Sequence, residues 1–398
     1  GDRHGPLLHS AACHAGPDYM MQARALSLFV ALAAGPALLA LPADAAAQQM
    51  VCTDFHGHAN ADWLAAHPPI AGSGSQSALG ELAERARQQQ FEMLDDDMQF
   101  AQGGIAKLLG DFWASGLDEA AVERDGAQPI APLLSRIDAI RRNRDVPAAV
   151  AALHQVGIPV LFNFGADVDL ANLDRHIGYF TQGGLGLPDP AFYTRADAET
   201  QALLAKYRDY VSAILALTGS KPARLQADTQ AVLDIETRIA QASRPMSLLR
   251  DPRARYALVP VAGLDGQYRN LQLGQFLQAQ GVQAESVSLA NPQLFAQLDA
   301  MVAGIKPEQW KAYLRYQVGA AMAPYLSKAW RDADFAFRGA VLRGETTQAP
   351  RREQVLEAMN LAAGPMIGRE YVTRYLPDAT RARATEIVAQ VREALGRG

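Results

Sequence analysis

Apolar side chains recur at three- and four-residue steps along most of this chain, and that spacing places them on one face of an α-helix. The segment 199–217 shows the pattern clearly, because Leu203, Tyr207 and Ile214 share one face. Gly219 follows this segment, and a glycine just after a periodic run is typical of a helix end. A chain built from such segments must bury one stripe of each helix, which predicts a mostly helical fold.

The same spacing predicts further helices along the chain. They cover residues 79–98, 105–113, 130–142, 146–156, 223–242, 275–280, 291–304, 307–337, 351–359 and 379–395. Pro147 suits the first turn of its helix, where a backbone N–H is not needed. Turns are predicted at residues 103–104, 263–266 and 304–307, each of which contains glycine.

One segment, residues 160–169, departs from the helical spacing. Phe162 and Phe164 alternate with polar or small residues, and a period of two is typical of a β-strand. Asp167 and Asp169 would then lie on one face of that strand. The sequence therefore predicts a mostly α fold, with a large helical lobe and a small β element.

Composition limits the partners that the chain can have. Its 398 residues are 49% hydrophobic and 20% charged, with a mean hydropathy of −0.08, which fits one large or two medium globular domains. The net charge of −5 and the pI of about 5.9 give no basic face for phosphates, so no nucleic-acid partner is expected. The short basic run 141–144 is interpreted as a solvated helix end.

The amino-terminal residues are interpreted as an export signal. Residues 1–19 precede a start methionine at Met20 and are expected to be an unstructured upstream extension. Residues 20–47 combine a basic start, an apolar core and small residues, as in a secretory signal peptide that is cleaved near Ala47. No other stretch reaches the ~18 apolar residues of a membrane span. The mature protein, residues 48–398, is therefore expected in the periplasm or outside the cell, with no membrane contact.

Cysteine usage leaves one question open. Cys52 is the single cysteine of the predicted mature chain, so it is a free thiol, an intermolecular link, or half of a pair whose partner lies elsewhere. His9, Cys13 and His14 lie close together in the upstream extension. Without a packed scaffold to orient them, they are not expected to bind metal.

Three stretches occur in a recognisable order. They are DFHGHANADW at residues 54–63, KLLGDFWASGLDE at 107–119 and TQGGLGLPDPAFYT at 181–194. In this order they resemble the amino-terminal half of the neprilysin/endothelin-converting-enzyme family of zinc metallopeptidases, which reads DFYxYANGxW, then KxxxFYxSCMD, then QGGLxLPDRDYY. The resemblance continues through residues 216–240, 307–317 and 363–377, so it extends from Cys52 to the carboxyl end.

This resemblance implies a role in peptide hydrolysis. Family members have one lobe that carries zinc and a helical lobe that closes over it around the peptide, and residues 48–398 resemble the helical, non-catalytic lobe. The family's zinc motif H-E-x-x-H does not occur in this sequence and is expected after Gly398, with a later E-x-x-x-D. We therefore expect a truncated zinc metalloendopeptidase-like protein that encloses oligopeptides, holds no zinc or other cofactor and is inactive alone.

The resemblance also guides the interpretation of single residues. Asp54, Asn60 and Trp63 match the family and are interpreted as structural, as a cap or turn and a buried indole. Relatives have an arginine for the substrate carboxylate shortly after the first motif, but the aligned residues 72–75 read Gly-Ser-Gly-Ser, so that contact is not expected here. Arg351 and Arg352 stand where the family has Arg-Trp.

A metal site at Asp54, His56 and His58 is the alternative to a structural role, since alternate spacing can place two imidazoles on one side of a strand. The family has aromatic residues at the two histidine positions, so we interpret His56 and His58 as packing residues. The other histidines of the mature chain have no imidazole partner in a helical spacing: His67, His154 and His176. The sequence therefore predicts no catalytic, cofactor-binding or metal-binding residue in this chain.

Other chemistries find little support. Asp95, Asp96 and Asp97 are interpreted as a solvated helix terminus, and no G-x-S-x-G accompanies a possible serine nucleophile. The glycines of the third motif lack the strand–helix setting and the Lys-Ser/Thr of a phosphate loop, so they are interpreted as turn glycines. They are Gly183, Gly184 and Gly186.

A second hypothesis belongs to a different class of protein. The chain would be a non-catalytic, exported module that binds peptides or other proteins, or onto which a separate catalytic half docks. Aggregation of the purified chain would point to an uncovered interface, whereas a stable monomer that binds peptides would support the module.

Overall fold

The computed structural model describes residues 53–67 and 77–397. These residues are mostly helical and include a four-stranded sheet, so the predicted fold class is confirmed. The chain divides into two compact units, residues 1–88 and 89–398. The predicted extension, the signal peptide, Cys52 and residues 72–75 lie outside the described residues.

The first unit shows why the first motif has a structural role. Asp54 caps its first helix, because the carboxylate accepts a hydrogen bond from the Gly57 amide at 2.8 Å. The Asn60 side chain donates to the His56 carbonyl oxygen at 2.9 Å where that helix ends. The interpretation of Asp54 and Asn60 as cap and turn residues is confirmed. The two short helices of this unit are α1 (Phe55–Ala59) and α2 (Ala61–Ala66).

The aromatic residues of this motif are less buried than predicted. Trp63 is half-buried and stacks on His67, with ring centroids 4.4 Å apart. His56 and His58 are both exposed. Their predicted packing is wrong, because no described residue covers either side chain on α1.

Further helices account for most of the remaining described residues. They are α3 (Ala78–Phe100), α4 (Gly104–Leu117), α5 (Glu119–Asp125), α6 (Ala131–Asp138), α7 (Val146–Gln155), α8 (Ala198–Leu217), α9 (Pro222–Ala242), α10 (Leu264–Gln267), α11 (Leu273–Ala279), α12 (Pro292–Gly304), α13 (Pro307–Met322), α14 (Lys328–Asp334), α15 (Arg351–Tyr375) and α16 (Asp378–Arg397). A π-helical segment, Phe335–Arg343, follows α14 directly. Periodicity therefore predicted most of these helices correctly.

Proline explains two differences from the predicted helices. Residues 307–337 are not one helix, because Pro324 falls between α13 and α14, where its missing N–H ends the regular ladder. The predicted helix 351–359 instead continues to Tyr375, with a kink at Ala363 two residues before Pro365. The residue range 263–266 was predicted as a turn, but most of it belongs to α10.

The sheet contains the predicted strand and three that were not predicted. Its strands are β1 (Phe162–Asp169), β2 (Asn172–Gln182), β3 (Leu258–Pro260) and β4 (Ser286–Leu289), in the order β1-β2-β4-β3. β1 and β2 are antiparallel, β2 and β4 are parallel, and β3 and β4 are antiparallel. These three strands lack a clear alternation of apolar and polar residues. The first half of β2 is exposed, and β3 and β4 are short.

A β-bulge near the end of β1 changes the side to which Asp169 points. The register with β2 shifts between Val168 and Asp169, so Asp169 is buried while Asp167 remains exposed. The prediction that both carboxylates share one face is therefore wrong. Asp169 instead turns towards the protein interior.

The larger hydrophobic core lies between this sheet and the helices α8, α9 and α13. Phe162 lies at its centre, with ring centroids 5.5 Å from Phe180, 5.1 Å from Phe276 and 5.5 Å from Phe295. A smaller core joins α3, α4 and α15 around Trp113. Each core buries one stripe of each helix, as the periodicity of the sequence requires.

Two residues of the acidic run at residues 95–97 contact side chains at the smaller core, whereas Asp96 is exposed. Asp97 is 2% exposed and pairs with Arg374, and burial raises its pKa while Arg374 opposes that rise. Asp95 accepts a hydrogen bond from Trp113 Nε1 at 2.9 Å. The earlier interpretation holds for Asp96, which is exposed, and is wrong for Asp95 and Asp97, because Trp113 and Arg374 bind their carboxylates.

Arg351 and Arg352 also contact residues at this smaller core. Arg351 Nε donates to the Gly116 carbonyl oxygen at 2.8 Å. The Arg352 guanidinium lies 4.9 Å from the ring centroid of Phe91 and 5.6 Å from that of Trp113. A planar cation thus covers these rings at the position where the family has tryptophan.

Within the described ranges, no helix is long and apolar enough to cross a membrane.

The packing of α3 against α4 yields a prediction about glycine. A Cβ at Gly110 would lie 2.5 Å from the backbone carbonyl of Asp97, which cannot move aside as a flexible side chain can. Gly110→Ala should therefore lower the free energy of unfolding by ~1–3 kcal/mol. Urea denaturation followed by circular dichroism measures this change.

The matched control is Gly368→Ala in α15, where a Cβ would meet nothing within 4 Å. This substitution should stabilise the protein by ~0.5–1 kcal/mol, because alanine loses less backbone entropy in a helix. Equal effects of the two substitutions would contradict the backbone contact.

Candidate functional site

A cleft of about 500 Å³ opens beside the carboxyl end of β2. Its walls are the glycine-rich segment at residues 183–190 and the segment at residues 243–255. Its floor includes Phe180 and Thr181 of β2, and Gln317 of α13 reaches it from below. The third sequence motif thus forms a wall of the cleft.

The glycines of that motif are required by close packing. Gly184 has a φ of +78°, which disfavours side chains, and a Cβ there would lie 2.7 Å from the Leu161 Cα. A Cβ at Gly186 would lie 1.9 Å from the Tyr207 hydroxyl oxygen. Their interpretation as turn glycines is confirmed, and the structure adds that they allow the wall to lie against buried tyrosines.

A buried carboxyl group holds this wall from beneath. Glu236 of α9 is 0% exposed and accepts hydrogen bonds from the Tyr207 hydroxyl at 2.7 Å and the Tyr193 hydroxyl at 2.8 Å. It also accepts from the Gly186 amide at 3.2 Å and from Gln317 Nε2 at 3.1 Å. The four donors come from three parts of the chain, the glycine-rich motif at residues 181–194, α8 and α13, so Glu236 ties these parts together.

A third tyrosine holds the other glycine of this wall, Gly184. The Tyr313 hydroxyl donates to the Gly184 carbonyl oxygen at 2.9 Å and accepts from the Leu161 amide at 3.2 Å. Leu161 has a φ of 66°, a left-handed conformation that is uncommon for leucine and that persists only when its surroundings hold it. Strand β1 therefore begins from a position that α13 determines.

The network has a clear electrostatic consequence. Burial raises the pKa of Glu236 to about 7, against the opposing effect of the hydrogen bonds that it accepts. Burial and the neighbouring carboxyl raise the pKa values of Tyr193 and Tyr207 well above the usual value. The tyrosines therefore remain neutral donors, while Glu236 changes charge near neutral pH.

The opposite wall is held by Gln182 and Arg244. Gln182 Nε2 donates to the Arg244 carbonyl oxygen at 3.0 Å, and the Arg244 amide donates to Gln182 Oε1 at 2.9 Å. The Arg244 guanidinium donates to the carbonyl oxygens of Ala254 at 2.8 Å and Ala290 at 2.7 Å. Both partners of this cation are carbonyl groups, so its positive charge is not cancelled by a carboxylate.

Arg255 lies in the cleft lining and is held through its backbone. The Ser288 hydroxyl donates to the Arg255 carbonyl oxygen at 3.2 Å and accepts from the Ala257 amide at 3.1 Å. The next residue, Tyr256, donates through its hydroxyl to Asp169 at 2.6 Å. The Arg255 side chain is exposed, in contrast to these fixed backbone groups.

Asp169 anchors the far side of this segment. It accepts hydrogen bonds from Tyr256, from the Ala171 amide at 2.9 Å and from Arg175 Nε at 2.6 Å. These contacts, with Tyr256 the largest, lower the pKa of Asp169 to about 2. The carboxylate is therefore ionised at neutral pH and serves a structural role.

The remaining histidines predicted as isolated lie apart from the cleft. His154 Nε2 lies 3.1 Å from the Val160 carbonyl oxygen and 3.2 Å from its amide nitrogen, and burial lowers the histidine pKa. His176 is exposed on β2. The prediction that this chain contains no catalytic, cofactor-binding or metal-binding residue stays a prediction.

The residues that shape the cleft were not predicted from the sequence. A signal for Glu236 was present, because it occupies the same helical stripe as Val232, Ile235 and Ile239, where only apolar residues are expected. A carboxyl group at a core position implies buried donors. Gln182, Arg244 and Arg255 carried no comparable signal, because their partners are backbone groups far away in the sequence.

The raised pKa of Glu236 predicts a pH dependence of stability. Between about pH 4.5 and about pH 7 the folded state binds this proton more tightly than the unfolded state does, so the free energy of unfolding should fall as the pH rises. The loss should be on the order of 1–3 kcal/mol, and Glu236→Gln should remove it because glutamine cannot ionise. Urea denaturation at several pH values across this range measures the slope.

Glu285→Gln is the matched control, because Glu285 is exposed. This variant should keep the wild-type slope. A Glu236→Gln variant with an unchanged slope would show that the buried carboxyl does not titrate near neutral pH.

Comparisons with known proteins agree with the resemblance described above. Residues 51–397 match the model of the amino-terminal part of peptidase family M13. Neprilysin-3 of Drosophila melanogaster is 22% identical over 369 residues, which are 86% of this chain and 46% of that protein. Endothelin-converting enzyme-like 1 of Mus musculus is 23% identical over 362 residues, 87% of this chain and 46% of that protein.

The fold is also similar to solved structures. Zinc metalloprotease Zmp1 of Mycobacterium tuberculosis, in its open state, matches with a TM-score of 0.77 and 28% identity over 86% of this chain and 53% of that chain. PepO of Lactobacillus rhamnosis matches in fold, with a TM-score of 0.72 and 20% identity over 85% of this chain and 54% of that chain. The present chain spans about half the length of these relatives. Because the family model matches nearly all described residues, the chain belongs to peptidase family M13.

Proposed function

We propose that this metallopeptidase-like chain is the helical lobe that encloses oligopeptide substrates, and that hydrolysis depends on a zinc-bearing segment of the family's kind. The observation that supports this most is the fold match to Zmp1, which is named a zinc metalloprotease. The match takes in 86% of this chain but 53% of that protein, so the relative has a large further part.

The described residues do not fit a catalytic zinc ion. Within residues 53–67 and 77–397, no group of three or more His, Cys, Asp or Glu side chains could hold a metal ion. A catalytic zinc ion takes three protein ligands and a water molecule. No zinc-dependent step is therefore assigned to these residues, and bond cleavage is assigned to the segment that carries H-E-x-x-H in this family.

The contribution of this chain would be to bind and orient the peptide. The cleft is wide enough for several side chains, and ligand sites in proteins typically have volumes of ≈ 300–1,000 Å³. Its walls are held by the Glu236 network on one side and by Arg244 on the other. A cleft with fixed walls loses little conformational entropy when a peptide binds.

Helix α16 offers a surface on which a zinc-bearing segment could dock. None of its residues is buried, and four large apolar side chains recur at three- and four-residue spacing. These are Ile387, Val388, Val391 and Leu395, which are 47%, 59%, 53% and 77% exposed. An uncovered apolar stripe of this kind marks an interaction surface, and the family's zinc-bearing half is the occupant that we propose.

The leader at residues 20–47 supports export to the periplasm or beyond the cell. Oligopeptides in that compartment would be the substrates. The alternative function is an exported module that binds peptides without cutting them, and the cleft supports this alternative equally well.

The peptidase lobe and the non-catalytic module can be distinguished by adding a zinc-bearing segment, which should produce cleavage only with the peptidase lobe. The DNA that follows the codon for Gly398 should encode H-E-x-x-H in one of its reading frames. Mixing the purified chain with that encoded segment should produce cleavage of a quenched fluorescent oligopeptide, whereas either part alone should not exceed the buffer. Without such a segment, or without cleavage by the mixture, the non-catalytic module is favoured.

Metal analysis gives the complementary prediction. After dialysis, the purified chain should contain far less than one zinc ion per molecule, because two exposed imidazoles without a third ligand bind zinc weakly. One tightly held zinc ion that is lost in His56→Ala/His58→Ala and retained in the control His176→Ala would contradict the proposal.

A further inference from the structure

The cleft continues into a second cavity of about 310 Å³. Asn163, Thr181 and Arg255 line both cavities, so the two form one continuous groove along the outer face of the β1–β2 hairpin. The groove runs from the glycine-rich wall towards Asp167 and Leu170. A long, open groove of this shape fits an extended chain better than a compact small molecule.

The floor of the groove lacks a side chain at its centre. Asn163 lies opposite Thr181 and Gly165 lies opposite Tyr179 in the β1–β2 register, so these four residues face the same side. A Cβ at Gly165 would meet nothing within 4 Å. The space above Gly165 is therefore open, and a bound chain can approach the backbone of β1 there.

The charge of the groove is positive at its middle. Arg255 lies where the two cavities meet, and among the described residues no carboxylate pairs with its guanidinium. Among the residues that the structure describes, no aspartate or glutamate lines the larger cavity, and the Arg244 guanidinium at its wall donates to two carbonyl oxygens. Asp167, two residues beyond Gly165 on the same face of β1, is the acidic residue among those described that line the smaller cavity.

The backbone around Arg255 is already fixed on both sides. Arg244 holds the Ala254 carbonyl oxygen, and Tyr256 is held by Asp169. Ser288 holds the carbonyl oxygen of Arg255 itself. An arginine with an anchored backbone and an unpaired guanidinium suits the recognition of a carboxylate, because only its side chain has to be ordered when the ligand binds.

The geometry points to an acidic-peptide site: the groove binds an extended peptide whose aspartate or glutamate side chain pairs with Arg255, next to apolar residues that contact Met246 and Leu249. This inference rests on the proposed function in one respect, that the ligand is a peptide. It adds a preference for acidic sequence at a site on this lobe.

The test measures binding to the purified full chain, with no cleavage step. The probe is a fluorescein-labelled peptide Ala-Phe-Glu-Phe-Ala with both ends blocked, and the reference peptide has glutamine in place of glutamate. Fluorescence anisotropy at low salt should show about tenfold tighter binding of the glutamate peptide. Arg255→Gln should remove this preference by weakening the glutamate peptide and leaving the glutamine peptide unchanged.

Two further variants separate recognition from folding. Arg250→Gln is the matched control, because Arg250 is an exposed arginine of the same segment that does not line either cavity, and it should bind both peptides like the wild type. Gly165→Val fills the floor with a residue that suits strands, so it should weaken both peptides about tenfold while thermal unfolding stays unchanged.

Equal binding of the two peptides by the wild type would overturn the acidic preference, as would equal effects of Arg255→Gln and Arg250→Gln. Normal binding by a folded Gly165→Val variant would place the peptide elsewhere. Any of these results would leave the proposed peptidase function standing, because that function is tested by cleavage in the presence of the zinc-bearing segment.

Discussion

The fold around the cleft depends on one buried carboxyl group. Glu236 accepts hydrogen bonds from Tyr193 and Gly186 of the glycine-rich motif, from Tyr207 of α8 and from Gln317 of α13. A carboxyl group without such donors would be very costly to bury, so each element has to reach its place for the others to be stable. The glycine-rich wall is thus positioned by the core beneath it.

The opposite wall of the cleft is held in a different way, by hydrogen bonds to backbone groups. Gln182 pairs with the backbone of Arg244, and Arg244 in turn holds two carbonyl oxygens across the segment that leads to Arg255. Beyond that segment, Tyr256 is fixed by the ionised Asp169. Among the described residues that line the larger cavity, Arg244 and Arg255 are the charged ones, so this lining is positive although the chain as a whole is negative.

The spacing of apolar residues correctly predicted helices and strands whose formation depends on that spacing. The stripe of Leu203, Tyr207 and Ile214 required a helix, and the alternation of Phe162 and Phe164 required a strand, and both are present. The partners of Asp97 could not be predicted, because Arg374 lies far along the chain and three adjacent aspartates look solvated. The cleft was missed for the same reason, since its walls are formed by contacts between distant segments.

Beneath the cleft wall, Glu236 is expected to change its charge near neutral pH. The Gly186 amide donates to this carboxyl group, so its chemical shift should report the ionisation. A pH titration followed by heteronuclear NMR of selectively labelled glycine should give a midpoint near pH 7 for Gly186, and Glu236→Gln should abolish that transition. A midpoint near the usual value of 4.5, or a transition that survives the substitution, would contradict the central role of this network.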